Sequence, residues 1–171
     1  MEGGMFGIGE TVLYAKEGLC RVDEIREQEF NGNKMTYYIL VPMRKKTSVI
    51  YVPVDNETLT GRMRHVLSAE AVEQLIRKMP DVDQLWTDDE HDRKQRFRDI
   101  LISSDINMQI RLLKTLYEHR EQRQRIGKKM HQCDENVFRD VENLVYEEFS
   151  YVLGKGKDEV VDMIETSFQK T

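Results

Sequence analysis

Leu19-Cys20-Arg21-Val22-Asp23-Glu24-Ile25-Arg26-Glu27, Phe30-Asn31-Gly32-Asn33 and Met35-Thr36-Tyr37-Tyr38-Ile39-Leu40-Val41-Pro42 follow one another near the start of the chain. The first and third stretches are rich in Val, Ile and Tyr and alternate with a period of two, as a strand with one buried face does. Between them the Asn-Gly pair tolerates the positive φ angles of a tight hairpin turn. Two further runs, Thr11 to Ala15 and Thr47 to Val54, bring the expectation to four or five short antiparallel strands. A small SH3-like or Tudor-like β-barrel is the architecture that such a series predicts. A barrel of this size has a limited core and serves as a docking surface rather than a catalytic vessel.

Beyond about residue 68 the apolar spacing turns helical. Ser68 is the expected N-cap of a helix carrying Val72, Leu75, Ile76 and Met79, ended by Pro80. Thr87 and Glu90 fit a capping box, which predicts a second helix from Asp88 to Ile102 with Phe97, Ile100 and Leu101 on its apolar face. A third follows from Asp105 with Ile106, Ile110, Leu113 and Tyr117 on one stripe. A fourth, Asp134 to Leu153, is expected to bury Val137, Val141, Leu144, Val145 and Phe149. Gly154 and Gly156 precede a last short helix with Val160, Val161, Ile164 and Phe168. The expected class is therefore α+β: a barrel over 5–57, a linker over 58–67, and an all-α domain of about five helices over 68–171.

A chain of 171 residues, 39% hydrophobic and 33% charged, with a mean hydropathy of −0.63, has room for one compact domain or two small ones. A large enzyme with separate cofactor and substrate domains is excluded by size. No apolar run approaches the roughly 18 to 20 residues of a membrane span, and Met1-Glu2-Gly3-Gly4 lacks the basic start of a secretory signal. A soluble, cytoplasmic protein is expected, in which the sequon Asn56-Glu57-Thr58 stays unmodified. Cys20 and Cys133 lie far apart without CxxC spacing or a histidine cluster, so buried or idle thiols are expected rather than a disulfide or a metal site.

Catalytic and cofactor-binding patterns find little support. The chain has no phosphate-binding loop, no HExxH and no nucleophile elbow, and Gly7-Ile8-Gly9 lacks the third glycine of a dinucleotide loop. His65, His91, His119 and His131 share no i, i+4 spacing and read as solvated surface residues. Asp88-Asp89 and Glu147-Glu148 are adjacent on helices and point in different directions, so they too read as solvated faces. Neither a cofactor nor a metal is expected.

The net charge of −5 argues against a generic nucleic-acid binder. Yet Arg93 to Lys129 holds 11 Lys and Arg against 4 Asp and Glu, while Asp134 to Thr171 holds 4 against 10. One basic face can therefore meet phosphates with an affinity that falls as salt rises; the same residues also read as ordinary solvated helix positions. Trp86, the only tryptophan, sits in a polar interhelical segment between Asp81, Asp83, Asp88 and Asp89. It reads either as a core anchor or as an exposed apolar wedge of the kind that unstacks bases.

Met5-Phe6-Gly7-Ile8-Gly9-Glu10-Thr11-Val12-Leu13-Tyr14, with Gly18, Val22, Ile25, the Asn31-Gly32 turn, Tyr38 to Val41 and Val52-Pro53-Val54, resembles the RNA polymerase-interacting domain of the bacterial CarD (CdnL) family. A related domain occurs in the transcription-repair coupling factor, whose large motor domains this chain has no room for. The similarity continues through the linker, the lone Trp86, the basic helix after it, and Lys128-Lys129-Met130. The resemblance implies a two-domain transcription regulator. Its Tudor-like domain would bind the polymerase β subunit, and its helical domain would contact promoter DNA at the upstream edge of the bubble, without reading sequence, and stabilise the open complex.

By the same resemblance, Trp86 is the expected wedge, with Arg93, Lys94, Arg96, Lys128 and Lys129 on phosphates. On the polymerase side the expected residues are Arg44, Lys45, Lys46, Val49, Tyr51 and Pro53, with the Thr47 to Pro53 strand as an edge for main-chain pairing. Tyr51 stands where some members place an arginine, which shifts weight to Arg44, Lys45, Lys46 and the strand backbone. Acidic residues at Thr87 to Asp92 and at Asp134-Glu135 depart from the family pattern and oppose phosphate binding. A monomer, nucleoid-associated through polymerase, is expected.

Two other classes remain open. One is an adaptor that docks on polymerase or another partner without touching DNA and keeps Trp86 inside. The other is a Tudor-type reader with a cage drawn from Phe6, Tyr14, Tyr37, Tyr38 and Tyr51, although neighbouring Tyr37 and Tyr38 cannot both line it.

Overall fold

A computed structural model describes residues 5–170; the leader reading at Met1 to Gly4 and the final Thr171 of the expected helical domain lie outside the described residues. The chain divides into two compact units, one up to Val66 and the other from Leu67.

The first unit is a five-stranded antiparallel sheet built from β1 (Thr11–Tyr14), β2 (Gly18–Phe30), β3 (Asn33–Pro42), β4 (Ile50–Pro53) and β5 (Met63–His65). Its spatial order is β4-β3-β2-β1-β5. The β2–β3 hairpin is closed by Asn31 and Gly32, whose φ angles of 52° and 80° are those the Asn-Gly pair predicts. A register shift between Val22 and Glu24 inserts one extra residue into β2. This bulge explains a break in the sequence alternation: Cys20 and Val22 are buried in the core, and Ile25, paired opposite the buried Tyr38 three residues on, falls on the same face as Tyr38 but is itself 38% exposed. Phe6, Val12, Cys20, Tyr38, Leu40 and Val52 pack on that inner face.

The last expected strand is shorter than its apolar run. Thr47 to Val49 are outside β4, and Val49 is 51% exposed. The segment expected as a linker over 58–67 is largely ordered structure. Glu57–Thr60 form one helical turn, α1, capped by the Asn56 side chain accepting from Leu59 N–H at 3.0 Å. Met63–His65 then pair with β1 as Tyr14↔Met63, Leu13↔Arg64 and Val12↔His65. Sequence reading missed β5 because three residues show no usable alternation. The sheet ends on β4 and β5, and no pairing between them is present among the described residues.

The second unit is all helical: α2 (Ala69–Lys78), α3 (Glu90–Ile102), α4 (Ile106–Arg125), α5 (Gln132–Leu153) and α6 (Lys157–Phe168). Ser68 caps α2 through its side chain, accepting from Ala71 N–H. The cap of α3 is Asp89, which accepts from Asp92 N–H at 3.0 Å, rather than Thr87. A carboxylate in this position satisfies the orphan amide and opposes the positive end of the helix dipole, which a threonine does less well. The fourth predicted helix begins two residues earlier than expected, at Gln132. The core is drawn from all five helices, with Phe97, Leu113, Leu116, Val145, Phe149 and Ile164 at its centre. Among the described residues, no helix is long and apolar enough to cross a membrane.

Candidate nucleic-acid and polymerase interfaces

The segment Met79 to Trp86 has little regular structure of its own and is held by one stripe of α4. Arg111, Lys114, Thr115 and Glu118 recur at i, i+3, i+4 and i+7, so they share a face. Lys114 Nζ donates to the carbonyls of Pro80 at 2.6 Å and Val82 at 3.1 Å. Arg111 Nε donates to Asp83 O at 3.2 Å, and Leu85 N–H donates to Thr115 Oγ1 at 2.9 Å. Gln84 Nε2 meets Glu118. Backbone groups that would otherwise lack partners are thus satisfied by α4 side chains. The segment arrives at Trp86 with its path fixed.

Trp86 is half-buried and packs on the helical core. The His119 ring stacks on it with centroids 3.7 Å apart and planes at 21°. The Arg93 guanidinium carbon lies 4.3 Å from the indole centroid. Two groups this close to one ring centre cannot share a face without overlapping, so the indole is sandwiched between them. Phe97 closes one side at 6.5 Å, and indole Nε1–H donates to Asp88 Oδ1 at 2.9 Å. What Trp86 offers to solvent is an edge. It is therefore both a partner of the core and an exposed residue, and the sequence alternatives of anchor and wedge do not divide at this position.

Arg93 occupies a different place from the surface position expected of it. It is 3% exposed, with Nε and Nη2 donating to Asp134 Oδ1 and Oδ2, both at 3.1 Å, and Nη1 donating to Thr87 O at 3.0 Å. Asp134, expected as an exposed acidic group at the start of α5, is 2% exposed and is the buried partner of this fork. His119 likewise leaves the solvated surface expected for it. Burial lowers its pKa from the ordinary 6.5, with Arg123, Arg93 and His131 acting in the same direction and Asp134 opposing. The ring is neutral at pH 7.

Lys94 is exposed on α3 and bridges to Glu90 at 3.0 Å, one turn earlier. Arg96, Lys128 and Lys129 are exposed, and none takes part in a salt bridge among the described residues. Lys128 and Lys129 sit in the α4–α5 turn, which is shaped by Gly127 at φ 70° and by Arg123 Nε donating to Lys129 O at 2.9 Å.

In the first unit Arg44, Lys45 and Lys46 are exposed in the β3–β4 loop, beside exposed Val49. Tyr51 on β4 is 45% exposed. Val54 N–H donates inward to Thr36 O at 2.9 Å, so by strand alternation Val52 and Ile50 also bond inward, while Tyr51 and Pro53 face the open side. Pro53 occupies an outward position, where its missing N–H costs no ladder bond. Tyr37, Tyr51 and Phe30 form an edge-to-face series at 5.9 Å steps on the outer face, whereas Phe6, Tyr14 and Tyr38 are in the core. The five aromatics considered for a cage thus lie on opposite faces of the sheet and do not converge.

Cys20 is buried, and burial with nearby Glu17 pushes its thiol up to about 12. Among the described residues no group of three or more His, Cys, Asp or Glu is placed to hold a metal ion.

No curated protein matches the chain. Residues 6–67 match the family model described as the CarD-like/TRCF RID domain, a match that takes in all five strands and stops where the helical unit begins. The chain carries an RNA polymerase-interacting domain of the CarD-like/TRCF family, a protein-interaction domain of transcription.

Proposed function

We propose that the protein is a regulator of transcription initiation that binds the RNA polymerase β subunit through the open edge of β4 and contacts promoter DNA through the helical unit. The observation that carries this reading is the match of residues 6–67 to the RNA polymerase-interacting domain. The β4 edge supports the first contact: Tyr51 presents an outward N–H and C=O, and Arg44, Lys45, Lys46 and Val49 flank it. The exposed edge of Trp86 and the unpaired cations Arg96, Lys128 and Lys129 support the second. Lys94 contributes less because Glu90 neutralises it, and Arg93 acts from beneath Trp86 rather than on a phosphate.

Mechanistically, Trp86 needs only to meet opened DNA better than closed DNA at the upstream bubble edge, and this differential affinity lengthens the life of the open complex. Phosphate contacts fix position without reading sequence. The sign of regulation then depends on the promoter: a longer-lived open complex helps where opening limits initiation and hinders where escape does.

The test is the lifetime of open complexes formed by the cognate polymerase, alone, with wild type and with Trp86→Ala, alongside polymerase binding. A wild-type lifetime gain that Trp86→Ala abolishes while still binding polymerase supports the mechanism. Equal lifetimes in all three, with both proteins bound, leave an adaptor without DNA contact as the function.

A further inference from the structure

We infer that His119 and Arg93 are positioning residues that hold Trp86 so that it meets DNA by its edge and not by insertion of a ring face between bases. This rests on the DNA-contact reading above. Four observations converge on it. Both indole faces are occupied, by the His119 ring at 3.7 Å and the Arg93 guanidinium at 4.3 Å. Arg93 cannot swing away, because Asp134 and Thr87 O take all three of its nitrogens inside the protein. The indole N–H is engaged by Asp88. The preceding segment is tied to α4 by Lys114, Arg111 and Thr115.

A side chain that inserts between base steps needs a free face on each side for the bases to stack on. Trp86 would have to lose both its stacking partners to do so. As an edge, it needs no rearrangement, and the cost of ordering a large side chain is met on folding rather than on binding. The two partners differ in what they supply. Arg93 is a fixed floor, immobilised by a bidentate carboxylate. His119 is a flat, neutral lid whose job is shape, so another flat ring should replace it.

The experiment compares Trp86→Ala, His119→Ala, His119→Phe and Val160→Ala, the last a core substitution in a different helix, α6, that lowers stability while leaving the His119 and Arg93 side chains in place. Open-complex lifetime, polymerase binding and thermal midpoint are read for each, and Trp86 fluorescence on a bubble-containing duplex for wild type and every variant that keeps Trp86. The expected result is that His119→Ala reduces the lifetime gain by about three- to tenfold, the worth of one aromatic stack. His119→Phe restores it, and Val160→Ala keeps it despite its lower midpoint. Trp86 emission should change little on binding DNA, since no base stacks on the ring.

A His119→Ala protein that prolongs the lifetime as wild type does overturns the positioning role. Equal losses in His119→Ala and His119→Phe do so as well. Strong quenching of Trp86 by DNA overturns the edge mode. A Trp86→Ala protein that matches wild type overturns the DNA-contact reading itself, which separates the two failures.

Discussion

Asp134→Ala should be among the most damaging single substitutions in the helical unit. The Arg93–Asp134 pair has both side chains at or below 4% exposure and two parallel bonds of 3.1 Å. Removing the carboxylate leaves a buried guanidinium with only Thr87 O and the indole face as partners, which costs about 3–5 kcal/mol. That is a large share of the roughly 5–15 kcal/mol by which an ordinary domain is stable. Replacing both members by apolar residues of similar volume, Arg93→Met with Asp134→Leu, leaves no charge behind. The double variant then loses the hydrogen bond to Thr87, worth about 1 kcal/mol, and the cation–π contact, also about 1 kcal/mol. It should therefore be more stable than Asp134→Ala alone. Urea unfolding followed by Trp86 fluorescence reads this unit selectively, because the chain has one tryptophan and it lies there. With a slope of about 2 kcal/mol per molar urea, the midpoint of Asp134→Ala should fall by roughly 2 M, against about 1 M for the double variant. An Asp134→Ala midpoint within about 0.2 M of wild type, or a double variant as damaged as the single, would refute the buried-pair argument.

His119 adds a pH dependence whose sign is fixed by its lowered pKa. Its neutral form stabilises the fold fully above about pH 6.5, and that contribution is lost as pH falls through the depressed folded-state value; the slope of unfolding free energy against pH in this window should vanish in His119→Phe. Gly32→Ala places a side chain at φ 80° with nothing within 4 Å to clash, so conformational strain alone should cost about 1–2 kcal/mol in circular-dichroism unfolding of the first unit, and Gly32→Asn less. Cys20, with its thiol pushed up to about 12 and its side chain buried, should resist alkylation at pH 8 until the first unit unfolds; mass spectrometry after a labelling pulse reads the protection directly.

The hairpin and the five helices were legible because their signals are local: an Asn-Gly turn between alternating runs, and apolar stripes at helical spacing. β5 was not legible, since three residues such as Met63-Arg64-His65 acquire strand geometry only from the neighbour they pair with. At the candidate site the sequence singled out Trp86 and the basic helix but misplaced Arg93. Helical arithmetic could have placed it, because Arg93, Phe97, Ile100 and Leu101 are at i, i+4, i+7 and i+8, on the stripe read as apolar. Asp134 likewise shares the buried stripe of its helix, with Phe138, Val141 and Val145 at i+4, i+7 and i+11. A charged residue on each of two buried stripes, of opposite sign, is a signal for a buried pair, though only the packing of α3 against α5 shows that the two meet. His119 carried no such signal. Its stack on Trp86 joins residues from different elements and is a product of tertiary packing alone.

The pairing of β1 with β5 gives the first unit an awkward order of assembly. The β2–β3 ribbon closes through a two-residue turn and can form as soon as its residues exist. β1 is synthesised before it, yet its outer edge stays uncovered until Met63 to His65 arrive, Met63 standing 49 residues after its partner Tyr14. Closing a loop of that length costs roughly 3 kcal/mol in chain entropy before the new bonds repay it. A ribosome paused short of Met63 would therefore hold out a nascent sheet with an open strand edge, the template on which two incomplete chains most readily join.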